Sequence, residues 1–182
     1  MNLPNQKILL TGFEPFGEFK INSSWEALQL ITKENNPQIH CECLPVDYHT
    51  ARRRLLDLLE SYQPTTCLCT GLAAGEQFRL ERLARKPDQF EDLEGPARLT
   101  GQWQWDKVMK AFQLKELPAY FSDDAGQYVC ESTYWTLLNF NYRSGFPINT
   151  AFLHVPPLSE DWSTEKIATG IVTMLEIYHF KF

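Results

Sequence analysis

The sequence has few features that would support binding to nucleic acid or insertion into a membrane. It carries 17 basic against 23 acidic residues, and its one short basic cluster is Arg52-Arg53-Arg54 on a predicted helix. A nucleic-acid surface needs a broader basic patch, so we predict no nucleic-acid partner. The opening MNLPNQKILLTGF contains too short an apolar run for a signal peptide or a membrane span, and no later stretch is long enough. We therefore expect a cytoplasmic protein with no membrane partner.

The cysteines lack the spacing of a zinc site or a disulfide framework. There are five of them, an odd number, and none form a CxxC pair. Cys41, Cys43, Cys67 and Cys69 alternate through apolar runs, as residues on the faces of strands do. We predict that these four are core thiols, and we predict no metal site.

Several common catalytic motifs are also missing. The GLAAG segment at 71–75 lacks the lysine and hydroxyl of a P-loop and the G-x-G-x-x-G of a dinucleotide site. The chain has no G-x-S-x-G and no H-E-x-x-H. These absences argue against a nucleotide-binding protein, a serine hydrolase of that type and a zinc peptidase.

What the sequence does contain is a regular alternation of strand and helix patterns. Apolar runs predict strands in KILLTGF, IHCECLPV, TTCLCTGL, PAYFS and NTAFLHVPP. Helical spacing predicts a helix from a Ser23–Glu26 capping box, then helices in HTARRRLLDLLESY, around Trp105 to Phe112, in ESTYWTLLNFNY and in STEKIATGIVTMLEIYHF. Residues 85–102, RKPDQFEDLEGPARLTGQ, are predicted to form a long polar loop.

This alternation predicts an α/β fold. With 182 residues, of which 43% are hydrophobic, we expect a single three-layer domain over residues 1–182. A central, largely parallel twisted sheet would carry helices on both faces. Chemistry in such sheets gathers at the carboxyl ends of the strands, which here carry GFEPFG, TGLAAGEQF, AGQYVC and LHVPP.

Two residues at these ends suggest nucleophilic catalysis. Cys130 lies at a predicted helix start, where the helix dipole favours a thiolate. His154 lies at a predicted strand end, and its imidazole would exchange a proton with the thiol and then with a leaving amine. A third, carboxylate group would orient the imidazole. From the residues alone, a buried core thiol and an interior histidine are the more common interpretations of such positions.

Four segments of the chain together resemble the pyroglutamyl peptidase I family of pyrrolidone-carboxylate cysteine peptidases. They are LLTGFEPFG with NSSWEAL, CTGLAAG leading to ERLA, AGQYVC, and FLHVP, in the order found in the family. The resemblance implies a single α/β domain without a metal or an organic cofactor. It also implies removal of N-terminal pyroglutamate (5-oxoproline) from peptides with a blocked N-terminus, and assembly as a homotetramer as in many bacterial members.

The resemblance assigns roles to particular residues. Cys130 corresponds to the nucleophile, His154 to the general base and acid, and Glu81 in ERLA to the carboxylate that orients the histidine. The resulting function would be a cysteine exopeptidase that acts through a thioester intermediate. The alternative is a catalytically weak or inactive relative that binds a small lactam or a peptide terminus, or acts only in assembly.

A second group of residues is expected to bind substrate. Phe13 and Phe16 match the aromatic residues that enclose the lactam ring, and Val129 directly precedes the nucleophile. Arg85 stands for an arginine that the family carries in an ARIPDN-like stretch, provided that several residues before it have been deleted. An uncharged lactam suits an apolar slot, in which a charged amine is poorly accommodated.

The chain departs from the family pattern beside the nucleophile and in the segment after Glu81. Glu131 stands where the family usually has asparagine, and Leu72 where it has glutamine. A carboxylate beside the thiol disfavours the thiolate unless it points to solvent or completes the helix N-terminus. The segment after ERLA is shortened, so we expect either a shifted substrate preference or low activity.

Overall fold

The elements of the fold follow from a computed structural model, which describes residues 6–145 and 147–178. The strands are β1 (Ile8–Phe13), β2 (Ile39–Leu44), β3 (Thr66–Leu72), β4 (Phe78–Glu81), β5 (Leu83–Arg85), β6 (Arg98–Thr100), β7 (Ala119–Ser122) and β8 (Asn149–Val155). The helices are α1 (Ser23–Thr32), α2 (Tyr48–Tyr62), α3 (Trp105–Leu114), α4 (Val129–Ser144) and α5 (Thr164–Glu176). The predicted continuation of the last helix to Phe180 lies partly outside the described residues.

Six of the strands form one sheet in the order β2-β1-β3-β8-β4-β7. β1 is parallel to β2 and β3, and β3 is parallel to β8. β4 runs antiparallel to β8 but parallel to β7. The sheet is therefore largely parallel, as predicted, and its single reversal lies between β8 and β4.

Helices cover both faces of this sheet. On one face α1, α3 and α5 pack over apolar side chains of alternate strand positions, including Leu10, Leu80 and Leu153. On the other face α2 and α4 pack over the intervening positions, including Leu9 and Phe152. This is the predicted three-layer α/β arrangement. The prediction that the domain extends over residues 1–182 stays a prediction.

Two local expectations need correction. Helix α1 is capped by Asn22, whose side chain accepts a hydrogen bond from the backbone N–H of Ser24, so the cap lies one residue before the predicted Ser23. The Ser23 hydroxyl instead donates to the carbonyl of Pro156. Among the four strand cysteines, Cys67 and Cys69 are buried, but Cys41 and Cys43 are only half-buried. The reason is that their strand, β2, lies at the edge of the sheet.

The segment predicted as a polar loop, residues 85–102, is more ordered than its composition indicates. It contains a 3-10 turn at Asp88–Phe90, and β6 pairs antiparallel with β5. α4 holds this segment in place, because the indole of Trp135 donates to the carbonyl of Pro96 and the amide of Asn139 donates to that of Glu94. Within the described part of the chain, no helix is long and apolar enough to cross a membrane.

Candidate active site

A buried, hydrogen-bonded histidine–glutamate pair lies at the carboxyl end of β8. His154 Nδ1 is 2.8 Å from Glu81 Oε1, and the two side chains are 6% and 0% exposed. β4 places Glu81 opposite Phe152 in the antiparallel register, so its carboxylate reaches diagonally across to the next residue on that face, His154. An imidazole whose Nδ1–H donates to a carboxylate presents its Nε2 as the proton acceptor.

The Cys130 thiol lies on the other side of the same histidine. Cys130 is the second residue of α4, which begins after an extended Tyr128. Its Sγ lies over Gly71, where a Cβ atom on that glycine would be only 2.8 Å away. Gly71 is the register partner of His154 in the parallel β3–β8 pair, and paired residues direct their side chains to the same face. The thiol of α4 therefore lies over β3, and the imidazole extends from the neighbouring strand β8 on the same face of the sheet.

Burial dominates the acidity of this thiol. It raises the pKa of Cys130 to about 12, and the negative charge of Glu81 and the proximity of Cys69 act in the same direction. The backbone N–H of Cys130 itself lowers the pKa, as expected at a helix start, but by less. The sequence-based expectation of a lowered thiol pKa is therefore wrong for this resting arrangement, in which the thiol is protonated and needs a base.

The side chain of Glu131 points into the protein. It is 4% exposed, and its Oε1 accepts a hydrogen bond from the backbone N–H of Arg85 in β5. Oε2 is buried with no hydrogen-bond partner among the described residues. Burial raises the pKa of Glu131 to about 7, although the contacts with Arg85 oppose the rise. Of the two alternatives foreseen, a solvent-facing carboxylate is thus wrong.

Comparison with known proteins identifies the family. A family model described as pyroglutamyl peptidase matches residues 6–177. The chain belongs to the pyroglutamyl peptidase family. It is 33% identical to a pyrrolidone-carboxylate peptidase of Thermococcus kodakarensis, over 82% of this chain and 81% of the relative. It is 31% identical to the Bacillus licheniformis protein of the same name, over 85% of this chain and 80% of the relative.

Solved structures of pyroglutamyl peptidases have the same fold. A mutant pyrrolidone carboxyl peptidase from Pyrococcus furiosus superposes with a TM-score of 0.84 at 26% identity, covering 94% of this chain and 97% of that chain. Pyroglutamyl peptidase I from Bacillus amyloliquefaciens gives a TM-score of 0.81 at 26% identity, covering 93% and 95%. The predicted fold and family are confirmed, and with them the predicted class of enzyme, a cysteine-type peptidase acting on peptides.

In this pyroglutamyl peptidase family member, the predicted substrate-binding residues lie in different environments. Phe13 is 2% exposed and belongs to the core under α2 and α4, whereas Phe16 is 36% exposed. The Phe16 ring packs against Phe19 with centroids 5.6 Å apart. Val129 is 6% exposed at the start of α4. Phe13 and Val129 belong to one buried cluster, while Phe16 lies on the loop that leaves β1.

Arg85 is held by contacts within the protein. Its Nη1 donates to Asp124 Oδ1 at 3.1 Å, and its Nη2 donates to the carbonyl of Asp123 at 2.8 Å. Together with the backbone contact to Glu131, these bonds tie β5 to the loop before α4. The predicted contact of Arg85 with substrate stays a prediction.

Two residues that sequence reasoning passed over complete the site. Gly71 leaves the space that the Cys130 sulfur occupies. Tyr134 lies one helical turn after Cys130, is fully buried, and donates its hydroxyl to the backbone carbonyl of Glu81 at 2.9 Å. The i, i+4 spacing of Cys130 and Tyr134 was the available signal. Within the described ranges, no group of three or more His, Cys, Asp or Glu residues is placed to hold a metal ion.

Proposed function

We propose that this protein removes N-terminal pyroglutamate from peptides with Cys130 as nucleophile, His154 as general base and acid, and Glu81 as the group that orients the histidine. The observation that carries the proposal is the buried 2.8 Å Glu81–His154 pair. The Cys130 sulfur lies over Gly71, the register partner of that histidine.

The raised pKa of Cys130 favours a mechanism in which proton transfer accompanies attack. His154 Nε2 takes the thiol proton while Sγ forms a bond to the carbonyl carbon that links pyroglutamate to the next residue. Glu81 stabilises the resulting imidazolium. The carbonyl oxygen gains the negative charge, and N–H groups in the first turn of α4 are the available donors to it.

The second half of the reaction returns the proton. His154 protonates the leaving amine as the carbon–nitrogen bond breaks, which leaves a pyroglutamyl thioester on Cys130. Water, deprotonated by His154, then hydrolyses the thioester and restores the thiol. Each step uses the same imidazole, so loss of Glu81 should slow acylation and deacylation alike.

We assign the pyroglutamyl ring, rather than a prolyl ring, to the substrate because the pyroglutamyl ring carries no charge. A lactam buries no ammonium group, and the apolar side chains proposed to contact the ring, Phe13, Phe16 and Val129, offer no partner to one. The prolyl ring has a similar size but a charged nitrogen, so it provides the matched test of this assignment.

The experiment measures release of a fluorogenic amine from its pyroglutamyl and prolyl conjugates. We expect turnover of the pyroglutamyl conjugate only, its loss in Cys130→Ser, and its retention in Cys43→Ser, which changes a half-buried cysteine at the sheet edge. No turnover by the folded wild-type protein would reject the proposal. The raised thiol pKa would then support a lactam-binding relative without activity.

Assembly as a homotetramer and a cytoplasmic location stay predictions implied by the resemblance and the sequence. Sedimentation velocity tests the first directly, because a tetramer of a 21.1 kDa chain separates well from a monomer.

A further inference from the structure

Arg79 lies beside the catalytic histidine on the face of the sheet that carries the thiol. In the antiparallel β4–β8 pair its register partner is His154, while Glu81 is opposite Phe152. Directly opposed residues share a face, with Cβ atoms about 4.5–5.5 Å apart. Because β4 is antiparallel to β8, Arg79 lies two residues closer than Glu81 to the carboxyl end of β8. The loops that surround the entrance to the site are at this end.

The guanidinium of Arg79 is oriented but not neutralised. Its Nη2 donates to the carbonyl of Ala74 in the loop between β3 and β4. The next residue, Gly75, lies beside the same guanidinium, and a Cβ there would be 3.7 Å from Nη2, an ordinary contact distance. Arg82 and Arg85 each pair with an aspartate, Asp123 and Asp124. Across the described residues, no carboxylate lies within ion-pair distance of Arg79.

We propose that Arg79 binds a carboxylate on the residue that follows pyroglutamate, which makes it a specificity-determining residue. The inference rests on the proposed function, because His154 must reach the leaving amine. The residue that carries this amine then lies beside His154 and faces its cross-strand neighbour, Arg79. One residue spans at most about 3.3–3.6 Å, so either its α-carboxylate or an acidic side chain meets the guanidinium.

The chemistry suits this assignment. A guanidinium offers five N–H donors, of which the Ala74 carbonyl uses one, and its planar fork matches a carboxylate. A carbonyl contact fixes the side chain without cancelling its charge. Binding at this half-exposed position is screened by salt, so the preference should weaken as ionic strength rises.

The test compares four substrates that separate the two sources of the carboxylate. They are pyroglutamyl-alanine, pyroglutamyl-alanine amide, pyroglutamyl-glutamate amide and pyroglutamyl-glutamine amide. We expect the wild-type protein to prefer each carboxylate over its neutral match by roughly tenfold in kcat/KM, mainly through KM. A preference found only in the alanine pair identifies the α-carboxylate as the group that Arg79 binds. A preference found only in the glutamate and glutamine pair identifies the acidic side chain.

Variants then assign the preference to Arg79. Arg79→Gln should abolish the preference, measured as the ratio of kcat/KM within each pair, and Arg79→Lys should keep part of it. Arg53→Gln, which removes the same charge from the exposed surface of α2, is the control and should behave as wild type. The proposal is overturned if the preference is missing in wild type, survives Arg79→Gln, or falls equally in Arg53→Gln.

Turnover of the neutral amides separates this inference from the proposed function. If no substrate is turned over, the proposed function fails, and equilibrium binding decides the role of Arg79. Pyroglutamyl-glutamate amide and pyroglutamyl-glutamine amide are titrated into Cys130→Ala with and without Arg79→Gln. Roughly tenfold weaker binding of the glutamate ligand alone supports the inference, and equal affinities in the two proteins contradict it.

Discussion

Two buried carboxylates flank the Cys130 thiol, one on the sheet and one on the helix, and their surroundings differ. At the end of β4, Glu81 is paired with the imidazole of His154 at 2.8 Å. In the first turn of α4, Glu131 meets only the backbone N–H of Arg85, and burial raises its pKa to about 7. Neither Oε2 atom has a hydrogen-bond partner among the described residues.

The difference shows that position and burial do not by themselves give a carboxylate a chemical role. Glu81 has an imidazole as its partner, so in the proposed mechanism its negative charge is balanced when His154 takes the thiol proton. The partner of Glu131 is a fixed backbone dipole, so its charge is costly and the group takes up a proton near neutral pH. Glu81 should therefore control catalysis, and Glu131 should control the pH dependence of stability.

The largest expected effect is that of Glu81→Gln. The amide keeps the size of the side chain but cannot stabilise an imidazolium, so kcat should fall roughly 10²–10⁴-fold. Glu131→Gln should change kcat by no more than about threefold, because it keeps the acceptor for Arg85 and removes only the smallest contribution to the raised pKa of Cys130. Steady-state kinetics on the pyroglutamyl conjugate measures both. Equal losses in the two variants would contradict the division of roles.

Gly71→Ala should give the next largest loss. The new Cβ would lie 2.8 Å from Cys130 Sγ and 3.1 Å from Phe152 Cζ, so the sulfur has to move. We expect about a 100-fold lower kcat, since small displacements of reacting groups are this costly. Gly170→Ala is the matched control, because it crowds Phe78 on the opposite face. It should lower the melting temperature and leave the activity of the folded fraction intact.

The stability of the protein should fall as pH rises toward 7. The pKa of Glu131 is raised from 4.5 to about 7 in the folded state, so between these values the folded protein holds a proton that the unfolded chain has lost. Raising the pH removes this stabilisation. The full contribution is about 3.5 kcal/mol, since each tenfold change in proton affinity is worth about 1.4 kcal/mol. Urea unfolding at several pH values measures it.

Two variants isolate this contribution. Glu131→Gln should remove the fall in stability, whereas Glu60→Gln, which changes an exposed glutamate of α2, should retain it. A fall of the same size in Glu131→Gln would assign the effect to another group.

The smallest expected effect concerns the reactivity of the thiol. Burial is the main cause of the raised pKa of Cys130, Glu81 comes next, and Glu131 contributes least. Alkylation of Cys130 should therefore be slow at mildly acidic pH and accelerate with rising pH. Glu131→Asn should speed it by only about twofold, with a similar gain in turnover. Rapid alkylation of Cys130 near pH 6, located by peptide mapping, would show instead that the thiolate is already formed.

The fold was predictable where the sequence pattern is local. The apolar runs that end at Gly12 and Gly71 mark β1 and β3, and the i, i+3, i+4 spacing marks α2. β4 was not predicted from the sequence. Its four residues, FRLE, alternate apolar and charged side chains, and this alternation is explained only by contacts in the folded protein. Arg79 and Glu81 face the active site, and their neighbours face the core.

The residues of the candidate site could be proposed from the sequence, but their electrostatics could not. Family motifs located Cys130, His154 and Glu81, and β4 and β8 bring the latter two together. The burial of Glu131 depends on β5, which lies in a segment predicted as a loop. The pKa of the thiol depends on how tightly α4 packs onto Gly71. Neither can be read from residues near Cys130 in the sequence.

The most direct test of the account is to identify the acyl-enzyme. The wild-type protein is mixed with a pyroglutamyl substrate, quenched in acid during turnover, digested and analysed by mass spectrometry. The account predicts a pyroglutamyl thioester on the peptide that contains Cys130, and its absence from Cys130→Ala. Turnover without an adduct on Cys130, or an adduct on another cysteine, would contradict the assignment of the nucleophile.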